Sequence, residues 1–274
     1  MKYSYFIKLS IFLCLPIKAV AQESFYSKTN EYNVGVGYIE YKNTVAVPSG
    51  LPGTSTFFEY KKGYSKSNNK NHSFDFNIRA DYAYLKRNNN LSDVNIPYHH
   101  FELNGGTKWG WNAPLACTYL SLNYGFGLSL NTLTSVNKNL NYSTEPHLIL
   151  YPYLNWHFSP DLHLALNYKL KKILLCVGIY IPVFVIGFFQ EFEYFEYNYD
   201  ESINFIVPNT FALPTKYTSI KSFISVQNII SETKTNCYSL KLNINLDYLN
   251  TRVFNNIEMK RNTGVSLALI IQRK

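Results

Sequence analysis

Three stretches of this 274-residue chain bring together side chains that could do chemistry. His99 and His100 with Glu102 have the residue types of a metal site. Neighbouring residues on a strand point to opposite faces, however, so the two imidazoles do not reach one ion. His100 reads as a hydrogen-bonded residue of an interior or rim. Glu191, Glu193, Glu196, Asp200 and Glu201 form the densest acidic cluster. Glu191 and Glu193 share a strand face, where they pair with lysines across an enclosed space or bind a cation; the pairing is the preferred reading. His157-Phe158-Ser159 sets an imidazole and a hydroxyl two residues apart. There is no phosphate-binding glycine loop, catalytic carboxylate pair or nucleotide fingerprint. No Cys/His cluster has metal spacing, so neither a cofactor nor a resident metal is expected.

The elements that must position these residues are strands. In Tyr238 to Tyr248 every even residue is apolar or aromatic and every odd one is polar: Ser239, Lys241, Asn243, Asn245, Asp247. A period of two means one greasy face and one wet face. Phe74 to Tyr84 and Leu120 to Leu130 repeat the pattern, with weaker copies at 31–42, 56–65, 100–111, 162–171 and 265–271. Each is about the ten residues that a tilted strand needs to cross a bilayer.

The chain opens with a basic start, an apolar run from Leu9 to Pro16 and Ala19-Val20-Ala21. These are the parts of a secretory signal peptide, so residues 1–21 are expected to be removed and 22–274 to form one domain. Without Lys2, Lys8 and Lys18 the basic excess is modest, and no Lys/Arg block supports a nucleic-acid partner. Cys117, Cys176 and Cys237 give an odd count and no disulfide framework. Aromatic residues make up 17% and charged ones only 16%. That is fewer charges than a soluble domain carries, as expected of strands ending in interfacial aromatics.

Polar or Pro/Gly-rich segments at 43–55, 87–97, 131–146 and 249–263 read as outer loops, and 202–215 as a further loop. Ser159-Pro160-Asp161 reads as a sharp hairpin turn. The apolar run Ile173 to Phe189 loses the alternation. Gly178, Pro182, Gly187 and its Ile/Val content favour a two-strand hairpin, or one strand with a less polar inner face, over a membrane helix.

A soluble barrel would fill its centre with the apolar faces, but ten to twelve such strands enclose more space than those side chains need. Turned outward to lipid, the faces fit, and the sheet must then close because open edges do not survive in hydrocarbon. The fold expected is all-β, a closed antiparallel up-and-down transmembrane barrel of about 10–12 strands with both termini on the periplasmic side. Its interior is then lined by Asp75, Arg79, Asp81, Glu102 and Lys108, continuing with His163, Lys169, Lys171, Glu191, Glu193, Lys241 and Asp247.

With an exported precursor, amphipathic strands throughout and a strand running to the C-terminus, the chain resembles bacterial outer-membrane β-barrel proteins. It ends Ile270-Ile-Gln-Arg-Lys274 where many of them end on an aromatic residue. The resemblance implies an outer-membrane location, contact with outer-membrane lipids and lipopolysaccharide, and handling by the barrel-insertion machinery. The spacing of His157 and Ser159 is similar to that of outer-membrane lipid hydrolases, which would make His157 the base and Ser159 the nucleophile. Pro160 stands where those enzymes usually have Asn, and a turn serine is preferred. The functional expectation is a non-enzymatic barrel, either a narrow channel for small solutes or a structural or accessory component. The alternatives are a lipid hydrolase and a barrel that binds a partner through its outer loops.

Overall fold

A computed structural model describes residues 27–43, 47–66, 72–86, 97–115, 120–137, 153–188, 209–212, 217–253 and 256–273. The strands are β1 (Ser27–Asn43), β2 (Val47–Lys66), β3 (His72–Lys86), β4 (Pro97–Pro114), β5 (Leu120–Asn137) and β6 (Tyr153–Leu170). They continue as β7 (Ile173–Pro182), β8 (Val185–Phe188), β9 (Asn209–Ala212), β10 (Tyr217–Glu232), β11 (Asn236–Val253) and β12 (Asn256–Arg273). From β1 to β7 and from β10 to β12 successive strands pair antiparallel, β7 also pairs with β10, and β12 pairs with β1 from Lys28↔Arg273 to Asn43↔Glu258, which closes the sheet. β8 continues β7 along β6, and β9 precedes β10, so the barrel has ten staves.

Stepping from Ser27 through each paired neighbour in turn leads back to β1 at Ile39, twelve residues further along the same strand. Ten staves with that stagger imply a strand tilt of about 40° and a backbone radius of about 10 Å. The apolar faces look outward. Val34, Val36 and Leu162 are 60%, 61% and 57% exposed, whereas Asp81 and Asn243 on the other face are 8% and 4% exposed. A continuous apolar belt of this kind is stable only against hydrocarbon.

Aromatic girdles mark its borders. Phe74, Trp109 and Phe126 follow one another across three staves with ring centroids 5.4 and 5.3 Å apart, and Tyr82 meets Phe101 at 5.0 Å near the other border. On β11 the girdle residues Tyr238 and Tyr248 are separated by a rise of about 25 Å at this tilt, the height of an outer-membrane apolar band. Beyond the upper girdle the outward positions turn polar, with Glu40 Oε2 3.8 Å from Arg261 Nη1.

Several expected boundaries are corrected. Segments 43–55 and 249–263 are largely strand, and of 131–146 residues 131–137 belong to β5 while the rest lie outside the described residues, because β1, β2, β5, β11 and β12 continue past the apolar belt. Of segment 202–215, residues 209–212 form β9. Ser159-Pro160-Asp161 lies inside β6, and the turn comes at Lys171-Lys172, with Lys171 at φ 50°. Pro160 is tolerated beside a one-residue bulge. Asp161 pairs with Pro182 but Phe158 with Ile186, and Val183 N donates to Pro160 O at 2.8 Å. Residues 173–188 thus form one bulged stave.

Glycines on the inner wall make room for rings. A Cβ on Gly35 would overlap the Phe57 ring and lie 2.6 Å from Ser266 Cβ. Gly35→Ala is expected to destabilise the barrel by about 1–3 kcal/mol, read from urea unfolding in detergent micelles. A smaller side chain at Phe57 should recover part of the loss.

Candidate functional site

The inward positions build three storeys. Nearest the termini is a lower charge belt. Lys61 lies 3.0 Å from Glu59 and 3.9 Å from Glu31, and Lys241 reaches Glu31 at 3.2 Å from two staves away. Asn33 Nδ2 donates to Glu59 at 3.1 Å. Lys108 on β4 crosses the interior to the hydroxyl of Tyr180 on β7, 3.1 Å away.

Above it is a second belt. Asp81 and Glu102 are direct cross-strand partners, an unfavourable placing of two acids that needs cations close by. Arg79 supplies one, holding Asp81 at 2.6 Å while its guanidinium lies 3.9 Å over the Phe57 ring and 3.9 Å from Asp247 across the barrel. Lys260 supplies the other, reaching Glu102 from β12, four staves round. These braces span the interior, and charges of both signs are satisfied by one another instead of by water.

The top storey, at the end away from the termini, is apolar. Pairing sets Tyr41 beside Leu51, and places Gly53 between Ile39 and Leu85, with the Leu85 side chain in the space that glycine leaves. All four side chains are buried, as is His100, whose ring centre is 4.8 Å from that of Tyr41. On the opposite wall Val185 and Tyr217 pack with Leu249.

Below this storey lies a cavity of about 460 Å³. It reaches down to Thr29, Asn167 and Gln227, near the end that carries the termini, and none of Ile39, Tyr41, Leu51 or Leu85 lines it. Of the residues read from the sequence as interior, Asp75, Arg79, Asp81, Glu102, Lys108, His163, Lys241 and Asp247 line this cavity. Lys169 and Lys171 do not: Lys169 is exposed at the rim of β6 and Lys171 sits in the turn. Glu191 and Glu193 lie outside the described residues. Interior residues that the sequence reading passed over are Glu31, Glu59, Lys61, Asp161 and Lys260. For the first three the alternating parity is a usable signal, but Lys260 falls in the segment 249–263 that reads as a loop.

Ser159 is buried inside the barrel. Its Oγ donates to Asp161 Oδ1 at 2.7 Å and lies 2.8 Å from Ser129 Oγ. His163 Nε2 is engaged by Asn123 Oδ1 at 3.1 Å. His157 pairs through its backbone with Asn131 and Gly187. His99 faces outward against Tyr82, its Nδ1 2.9 Å from the phenol, while His100 faces inward 4.0 Å from Glu102. Among the described residues no group of three or more His, Cys, Asp or Glu side chains could hold a metal ion. Cys176 and Cys237 are free thiols.

No family model matches the chain, and no curated protein matches it. Solved structures do match. The translocator domain of autotransporter NalP from Neisseria meningitidis shares 8% identity over 98% of this chain and 96% of its own, with a TM-score of 0.44. The outer membrane protease OmpT from Escherichia coli shares 9% over 92% and 99%, TM-score 0.46. The transport unit of the autotransporter AIDA-I from Escherichia coli shares 9% over 92% of each chain, TM-score 0.48. These are outer-membrane β-barrels, and at such identities the likeness is one of fold.

Proposed function

We propose that this chain is an integral β-barrel of a bacterial outer membrane, closed at rest. Its termini lie on the periplasmic side, and its chamber opens toward them. The function is that of a solute-binding or accessory component of the membrane, not of a constitutive pore. The observation that carries this reading is the buried apolar storey above the cavity, backed by ion pairs that cross the interior. A hydrated passage needs polar groups free to face water, whereas here the carboxylates of the belts are largely taken up by lysines and Arg79. The outward belt supports contact with outer-membrane lipids. β12 presents Val265, Leu267 and Leu269 outward on the closing stave, where the insertion machinery would meet it.

The hydrolase reading loses support because the Ser159 hydroxyl is committed to the carboxylate of Asp161. Protein refolded into planar bilayers is expected to give no steady conductance. A stable open-channel current from the unmodified chain would refute the closed reading. Ser159→Ala and the parent protein are both expected to release no fatty acid from phospholipid micelles.

A further inference from the structure

The chamber wall is short of donors. Its lining carries seven acidic side chains against six basic ones, which is close to balance, but they are not evenly paired. Among the described residues Asp75 and Asp161 have no cation within ion-pair distance; Asp161 is met only by hydroxyls, those of Ser159 and Ser129. Lys108, the cross-strand partner of Asp75, is turned to Tyr180 instead.

Three further buried atoms on the wall have no hydrogen-bond partner: Asn33 Oδ1, Asn104 Oδ1 and His163 Nδ1, in residues only 2%, 9% and 5% exposed. All three accept hydrogen bonds. Asn33 is oriented by its donation to Glu59, and with its Nε2 proton given to Asn123, the His163 ring keeps Nδ1 bare. The wall thus presents acceptors in place for a guest that brings N–H donors. A metal ion does not fit. The five groups come from β1, β3, β4 and β6, and among the described residues no three carboxylates, histidines or cysteines converge.

Resting on the closed-chamber reading above, we propose that the chamber binds an elongated organic cation with several N–H donors, of the diamine or polyamine class, entering from the end that carries the termini. One amine meets Asp75 and another meets Asp161, which stands three staves round on the same row of paired residues, while Asn33, Asn104 and His163 are left to accept from the remaining N–H groups. Lys61 and Lys241 do not repel it strongly because Glu31 and Glu59 neutralise them.

The test is calorimetry on the full folded barrel in micelles at low ionic strength, with spermidine, tetraethylammonium and Mg²⁺ as probes. Spermidine should bind at least about tenfold more tightly than either of the others, since only it supplies N–H donors on separated charges. Asp75→Asn and Asp161→Asn should each weaken it by about tenfold, in variants whose unchanged heat-modifiable mobility shows an intact barrel. Spermidine binding no tighter than tetraethylammonium or Mg²⁺, or unaffected by both substitutions, would overturn the assignment. Conductance of the same preparations separates the two readings: a conducting parent protein ends the closed-chamber proposal, whereas a silent barrel indifferent to spermidine ends only the ligand.

Discussion

Lys260→Met is expected to destabilise the barrel by about 3–5 kcal/mol, the cost of leaving one partner of a buried ion pair without its counter-charge. The lysine crosses from β12 to Glu102, which stands directly opposite Asp81. Without it, Glu102 faces Asp81 stripped of its ion-pair partner, while Arg79 stays on Asp81 and Asp247. Methionine preserves most of the side-chain volume, so the loss reports charge and not packing. Adding Glu102→Gln should return more than half of the stability, because the buried charge leaves with its partner. Unfolding by urea in micelles, followed by tryptophan emission and by the mobility of unheated samples, measures both steps. If the single substitution costs less than about 1 kcal/mol, the brace is a weak surface-like pair.

The contrast between Lys260 and the strands around it shows where sequence is informative. The lipid-facing stretches were legible because hydrocarbon imposes a strict alternation: Val34, Leu166 and Leu242 could not be placed anywhere but outside. Past the aromatic girdles that constraint ends. Pro52 and Gly53 look like a loop, yet they pair with Glu40 and Ile39 in a strand that no longer touches lipid. Lys260 falls in such an extension. Ser159-Pro160-Asp161 misled for a different reason, since a proline inside a strand is acceptable only beside a bulge, and that bulge lies on the neighbouring stave. The interior charges were legible one by one from their parity, but their pairing was not. Which lysine meets which acid across the barrel depends on the twelve-residue stagger, a property of closure that no single segment contains.

The same stagger explains why the top storey can shut the barrel, and it makes the second large effect calculable. Tyr41, Leu51, Ile39 and Leu85 come from only three staves, but tilt carries their side chains over the lumen, where Gly53 leaves space for Leu85. Tyr41→Ala combined with Leu85→Ala removes two pieces of this layer, each fully buried. Losses of about 2–5 kcal/mol per site are expected from the cavities created. The barrel should nonetheless survive, because its strand ladder and lower belts are untouched. The chamber would then communicate with the far side, and a bilayer silent with the parent protein should show steady conductance, cation-favouring because of Asp75 and Asp161 below. The Leu85→Ala variant alone should remain silent while Tyr41 still covers the opening. A folded double variant that stays silent would show that the closure lies elsewhere, and the apolar storey would be packing without a gating role.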